Sequence, residues 1–229
     1  MAPLFPEHIS TPSGLRPSVD EVAAVLRDAI TRGDLQPNER LVEEELARSL
    51  RTNRALVRNA LARLEHERLI VREPNRGARV RTFTPDEAAE ILETRCVLEG
   101  LVARRAAQRI DEAGIAALHA VVEEMRARQN AGDLLGYSQL NARFHRTILD
   151  LAGHETAARL LALLQSQSVR YQFRTVLEPG RAAQSLDEHE AIFSALRARD
   201  PEAAERAARS HVANVIATVR TVAAHRSSA

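Results

Sequence analysis

Asn53-Arg54-Ala55-Leu56-Val57-Arg58-Asn59-Ala60-Leu61-Ala62-Arg63-Leu64 is the stretch on which the reading of this fold turns. Val57, Leu61 and Leu64 recur at i, i+4 and i+7, which places them on one face of a helix. Arg54 and Arg58, also four apart, share another face. Asn53 is a good N-cap and sets the start of the helix.

Upstream, Ser18 and Glu21 form a capping-box pattern, followed by Val22, Val25, Leu26 and Ile30 at helical spacing, with Gly33 as the stop. A second short helix is expected from about Val42 to Leu50, with Leu41, Leu46 and Leu50 turned inward. Downstream, β-like runs at Leu69 to Arg72 and Ala78 to Val80 flank the turn Pro74-Asn75-Arg76-Gly77. Three helices and a hairpin predict a winged helix-turn-helix over residues 18–82, preceded by a flexible arm over 1–17. From Arg48 to Arg81 ten arginines face three acids, a local net charge of +7 in a chain whose total is +1. A basic patch confined to such a unit implies DNA binding; the alternative is a solvated basic face. Arg54 and Arg58 are placed for base edges in the major groove, where Arg reads guanine O6 and N7. Asn53 is placed for a base or a phosphate, Arg76 for the minor groove or a phosphate, and Gly77 for a tight turn.

The chain has 229 residues, room for two modest domains. Hydrophobic residues make up 45% but aromatics only 3%, so Leu, Ala and Val must fill the core. Cys96 is the single cysteine, which excludes an intrachain disulfide and fits a cytoplasmic protein. Met1 to Arg16 does not read as a signal peptide, and no run of about 18 apolar residues predicts a membrane span.

Thr84 and Glu87 form a second capping-box pattern with Pro85 at N1, and the domain boundary falls at about residue 82. Breaks at Arg109-Ile110-Asp111, Asn130 to Asp133, Gly153, Glu178-Pro179-Gly180 and Asp200-Pro201 delimit six helices over 83–229. The expected fold is mostly α: a winged helix-turn-helix with a small β-hairpin wing, then an all-α antiparallel bundle. Asn141 and His145 are one turn apart, and His189 and His211 lie on later helices. Three imidazoles and an amide oxygen converging in a bundle suit Zn²⁺ or another divalent ion; the alternative is a metal-free polar pocket. Arg95 is placed either to clamp a carboxylate or to pair with Glu99 one turn on. His119, His154 and His225 read as surface residues.

The chain also resembles a known family. Leu26-Arg27-Asp28-Ala29-Ile30, Leu41 to Ala47, Asn53 to Leu61, Arg63-Leu64-Glu65 and Pro74 to Ala78 together resemble the winged-helix domain of GntR-type bacterial regulators. It departs from them where Arg51 replaces the usual turn Gly, Ala55-Leu56 the usual Thr-Pro, Asn59 the usual Glu, and Glu44 a frequent Arg. Glu93 to Gly100, Asn141 to His145, His189 to Ile192 and Ala195 to Pro201 resemble the FCD-type effector domain attached to many of these regulators. That resemblance implies a metal site at Asn141, His145, His189 and His211, with Asn141 standing where many members have Asp. It also implies an effector pocket with Arg95, and with Arg170, Tyr171 and Asn214 as further lining residues.

The leading expectation is a homodimeric regulator, a repressor, on a near-palindromic double-stranded operator, whose affinity responds to a small carboxylate such as a sugar acid or hydroxy acid. A metal-dependent hydrolase is the second class; no carboxylate stands at a motif-defined position beside the histidines, and no nucleophile motif is present. A third is an effector-independent DNA-binding protein whose bundle serves only dimerisation.

Overall fold

The structure, a computed structural model, describes residues 17–73, 77–176 and 178–227. The arm expected over 1–17 falls outside these residues except for Pro17, and the turn residues Pro74, Asn75 and Arg76 lie outside them too. The chain divides into two compact units between Phe83 and Thr84.

The first unit holds helices α1 (Val19–Arg32), α2 (Glu43–Ser49) and α3 (Arg54–His66) and strands β1 (Arg40–Leu41), β2 (Ile70–Glu73) and β3 (Gly77–Val80). α1 starts on the expected capping box: the Glu21 N–H donates to Ser18 Oγ, and the Ser18 N–H donates to the Glu21 carboxylate. It ends on Gly33 at φ 92°, a left-handed cap that costs glycine nothing. The strands form an antiparallel sheet in the order β1-β3-β2, with Val71 opposite Arg79 and Leu41 opposite Ala78. The sequence predicted a two-stranded hairpin; β1 is a third strand, too short to show a period of two. Leu26, Leu46, Val57, Leu61 and Leu64 close the core beneath the sheet residues Ile70 and Val80.

Arg51 keeps the turn between α2 and α3 in the left-handed form, at φ 50°. The substitution of the usual Gly therefore leaves the turn type intact and places a Cβ where it is sterically costly.

The second unit is the six-helix bundle: α4 (Pro85–Arg109), α5 (Glu112–Asn130), α6 (Leu134–Ala152), α7 (Glu155–Val176), α8 (Arg181–Arg197) and α9 (Pro201–Ser227). α4 opens on the Thr84–Glu87 capping box with Pro85 in its first turn, and α6 ends on left-handed Gly153 at φ 57°. The long seam between α4 and α9 is layered. Ala88, Ala89 and Leu92 pack on Val212, Val215, Ile216 and Val219. Farther along, Val102, Ala103 and Ala106 join Ala204 and Ala208 in a second apolar cluster. Arg95 and Glu99 on α4 and His211 on α9 fall between these two apolar stretches. No helix among the described residues is long and apolar enough to cross a membrane.

Candidate functional site

In the first unit the α3 N-terminus is built as its sequence implied. Asn53 Oδ1 accepts the Leu56 N–H at 2.9 Å, so its oxygen is used in capping and its amide NH₂ is the part left for a phosphate or base. Arg54 and Arg58 are exposed on the surface of α3. Both turn toward Glu43 of α2: Arg58 Nε and Nη2 reach its carboxylate at 3.1 and 3.0 Å, and Arg54 Nη2 lies 3.9 Å away. Hydrogen bonds from Arg58 hold the Glu43 carboxyl below the usual carboxylate range, so it stays ionised. Arg72 of β2 donates to the Arg58 carbonyl at 2.7 Å and pairs with Glu65, tying the wing strand to α3. Gly77 is exposed at φ 83°, at the start of β3. Glu43 went unremarked in the sequence; it is an unspecific feature of an acidic first turn until α3 is packed across it.

In the second unit His145 (α6), His189 (α8) and His211 (α9) come together, with their candidate ligand nitrogens all within 4.8 Å of one another. Two of the rings are oriented by hydrogen bonds at Nδ1. His189 Nδ1 meets the Ser185 carbonyl at 2.5 Å. A carbonyl only accepts, so this nitrogen carries the proton and Nε2 presents a lone pair. His211 Nδ1 meets Glu188 Oε2 at 2.7 Å, and His145 Nδ1 lies 3.5 Å from Glu99 Oε2. His189 Nε2 and His145 Nε2 face each other at 3.2 Å. Phe144 packs edge-on against both rings.

These residues fit a divalent ion. A tetrahedral zinc with Zn–N bonds of about 2.0–2.1 Å spaces its nitrogens by about 3.3–3.4 Å, close to the separation seen between His145 and His189. Acceptors behind the imidazoles are the usual way a metal site fixes tautomer and raises basicity. Asn141, one turn before His145, has a buried Oδ1 with no hydrogen-bond partner among the described residues, so it is available as a fourth oxygen donor. Burial pushes His145 down to about 4 and His189 well below its ordinary value, so both are neutral near pH 7 and ready to ligate.

Glu99 and Glu188 stand beside the histidines, although no sequence motif marks them, and each is paired with an arginine. Burial alone would raise the Glu99 carboxyl, but the adjacent Arg95 guanidinium holds it below the usual range. Arg95 is itself only 6% exposed, with Nε and Nη2 at 3.0 and 2.6 Å from Glu99 Oε1. The pairing with Glu99 is therefore real, and it lies inside the bundle instead of on its surface. Burial likewise opposes ionisation of Glu188, and His211 and Arg181 overcome it. Arg181 Nη2 binds Glu188 at 2.9 Å, while its Nε and Nη1 are buried without a partner among the described residues. Asn214, expected to line the pocket, instead donates its amide to Glu188 at 2.9 Å. The side chains of Arg170 and Tyr171 on α7 lie outside the described residues, as does that of His225. His119 is exposed and stacks on Phe193, whereas His154, expected at the surface, is half-buried and accepts the Ala157 N–H.

A cavity of about 300 Å³ opens against the cluster. Arg95, Glu99 and His145 form one side of its wall; α4, α6 and α7 supply most of the rest.

Residues 18–80 match the family model described as bacterial regulatory proteins, gntR family, and residues 90–214 match the FCD domain. The chain belongs to the GntR family. It is thus a DNA-binding transcriptional regulator, with an FCD domain as its second unit. Among relatives of this GntR chain is the HTH-type transcriptional repressor RspR of Escherichia coli (strain K12), 27% identical over 207 residues, spanning 90% of this chain and 91% of that protein. The galactonate operon transcriptional repressor of the same strain is 26% identical over 216 residues, spanning 85% and 93%. The solved structure of E. coli McbR/YncC shares the fold with a TM-score of 0.75 at 20% identity, covering 90% of this chain and 99% of that one.

Proposed function

We propose that this GntR regulator is a homodimeric, cytoplasmic repressor of a near-palindromic operator, and that a small carboxylate bound at the histidine cluster changes its operator affinity. The observation that carries the sensing half is the convergence of His145, His189 and His211 beside a cavity, with His189 and His211 oriented by acceptors at Nδ1 and His145 next to Glu99. When bound, a divalent ion, zinc by its nitrogen-rich donor set, supplies a Lewis-acidic anchor for a carboxylate oxygen. His145, His189, His211 and Asn141 would hold it. Arg95 and Glu99 keep that end of the cavity polar without adding net charge.

On the reading half, Arg54 and Arg58 are the base and phosphate contacts, with Asn53, Gly77 and, from the sequence alone, Arg76 as further contacts. Glu43 holds the two arginines while DNA is absent, and an operator must take them from it. Two repressors among the relatives support repression over activation. The ligand acts by favouring one arrangement of a protein with two, and it shifts operator affinity only by its preference between them. Glu99 and Glu188 are both engaged by cations, which leaves neither as a free base for hydrolysis.

Operator binding measured against added zinc, chelator and small carboxylates tests this reading. His189→Ala should abolish the ligand response while the operator is still bound. An unchanged dose–response in that variant would remove the cluster from sensing.

A further inference from the structure

We infer that the effector is a small acid with an apolar body, a short branched aliphatic or aromatic monocarboxylate, and not a polyhydroxylated one. The inference rests on the proposed carboxylate-sensing role and narrows its ligand class.

The cavity has two chemically different parts. Its polar end is His145 with the Arg95–Glu99 pair. The fork of Arg95 is already given to Glu99, through Nε and Nη2. Beyond that end the buried lining is Val102, Ala103, Ile148, Leu161, Ile192 and Ala208. None of these side chains donates or accepts a hydrogen bond. The remaining polar side chains, Arg146, Asp150 and Gln165, are exposed and so stand at the solvent side of the wall.

A sugar acid carries a hydroxyl on nearly every carbon. Placed with its carboxylate at the polar end, it would press those hydroxyls against the apolar lining and lose the hydrogen bonds they had in water. An alkyl or phenyl group placed there loses nothing and removes apolar surface from water, with roughly a fourfold gain in affinity for each buried methylene. The volume, about 300 Å³, lies at the small end of the range for ligand pockets, so a short body is the one that fits.

Calorimetry on the full-length, zinc-loaded protein decides the matter, with isovalerate and phenylacetate set against gluconate and galactonate. The apolar acids should bind at least tenfold more tightly. Leu161→Ala, which enlarges the cavity, should move preference toward phenylacetate over isovalerate. Ile148→Asn, which adds a polar group to the wall, should narrow the gap between the classes. Gluconate or galactonate binding as tightly as the apolar acids to the unmodified protein overturns the inference and leaves carboxylate sensing standing. If neither class binds while zinc and the operator still do, carboxylate sensing fails and the inference with it.

Discussion

Both units pair Arg with Glu, and they do so in opposite surroundings. On the reading unit, Arg58 and Glu43 sit in solvent, where their side chains are 56% and 27% exposed. In the helical unit, Arg95–Glu99 and Arg181–Glu188 are withdrawn from it, with side chains no more than 11% exposed. An exposed pair gains little from its own attraction and is screened by salt, so DNA phosphates can displace the carboxylate cheaply. A buried pair has already lost its hydration, and removing one partner strands the other. The lesson is one of exchangeability: a contact built in water can be traded, and one built in the core cannot be given up without stranding a charge.

The largest effect should come from stranding a buried charge. Glu188→Ala leaves Arg181 and His211 without their shared carboxylate and should lower stability by about 3–5 kcal/mol, read by denaturant unfolding. Equal loss from Glu43→Ala would erase the contrast between the units.

Next is pH. The unfolded chain protonates its imidazoles below about 6.5, whereas folded His145 does so only near 4. The metal-free protein should therefore be most stable above that window and lose stability as pH falls through it. A flat unfolding midpoint across the window would mean that the cluster is open to water.

Arg58→Ala should weaken operator binding by roughly tenfold or more and relax base preference. Equal losses on operator and random DNA would contradict base reading. Arg51→Gly should stabilise the protein by roughly 0.5–1 kcal/mol, because relief of the left-handed strain exceeds the added chain entropy. Loss of stability in that variant would show that the arginine side chain is needed in the turn. Smallest of all, Glu43→Gln should tighten DNA binding by roughly twofold to fivefold, most at low salt. Weaker binding instead would make Glu43 a guide that aims Arg58.

Local signals in the sequence account for most of the fold. The caps at Ser18, Asn53 and Thr84 and the stops at Gly33 and Gly153 mark helix ends through neighbours within four residues. The histidines could be gathered because the family resemblance supplied their convergence. Glu188 could not, for a physical reason. It adjoins His189 in sequence, and on a helix adjacent residues point about 100° apart, so adjacency argues against a shared site. Its partner is His211 on α9, reached only through the register of α8 on α9. Glu43 was hidden in the same way, since its arginines lie on another helix. Strand β1 escaped because two residues carry no alternation.

The order of the two units along the chain has a consequence for its synthesis. The reading unit draws its apolar cluster from Val22 to Val80, and its sheet is complete at Val80. Translation adds about 5–20 residues per second, so the helical unit takes several more seconds to make. During that interval the growing chain already holds everything the reader needs to fold. A ribosome paused within α6 would carry a complete DNA-binding unit while the helical unit is still unfinished.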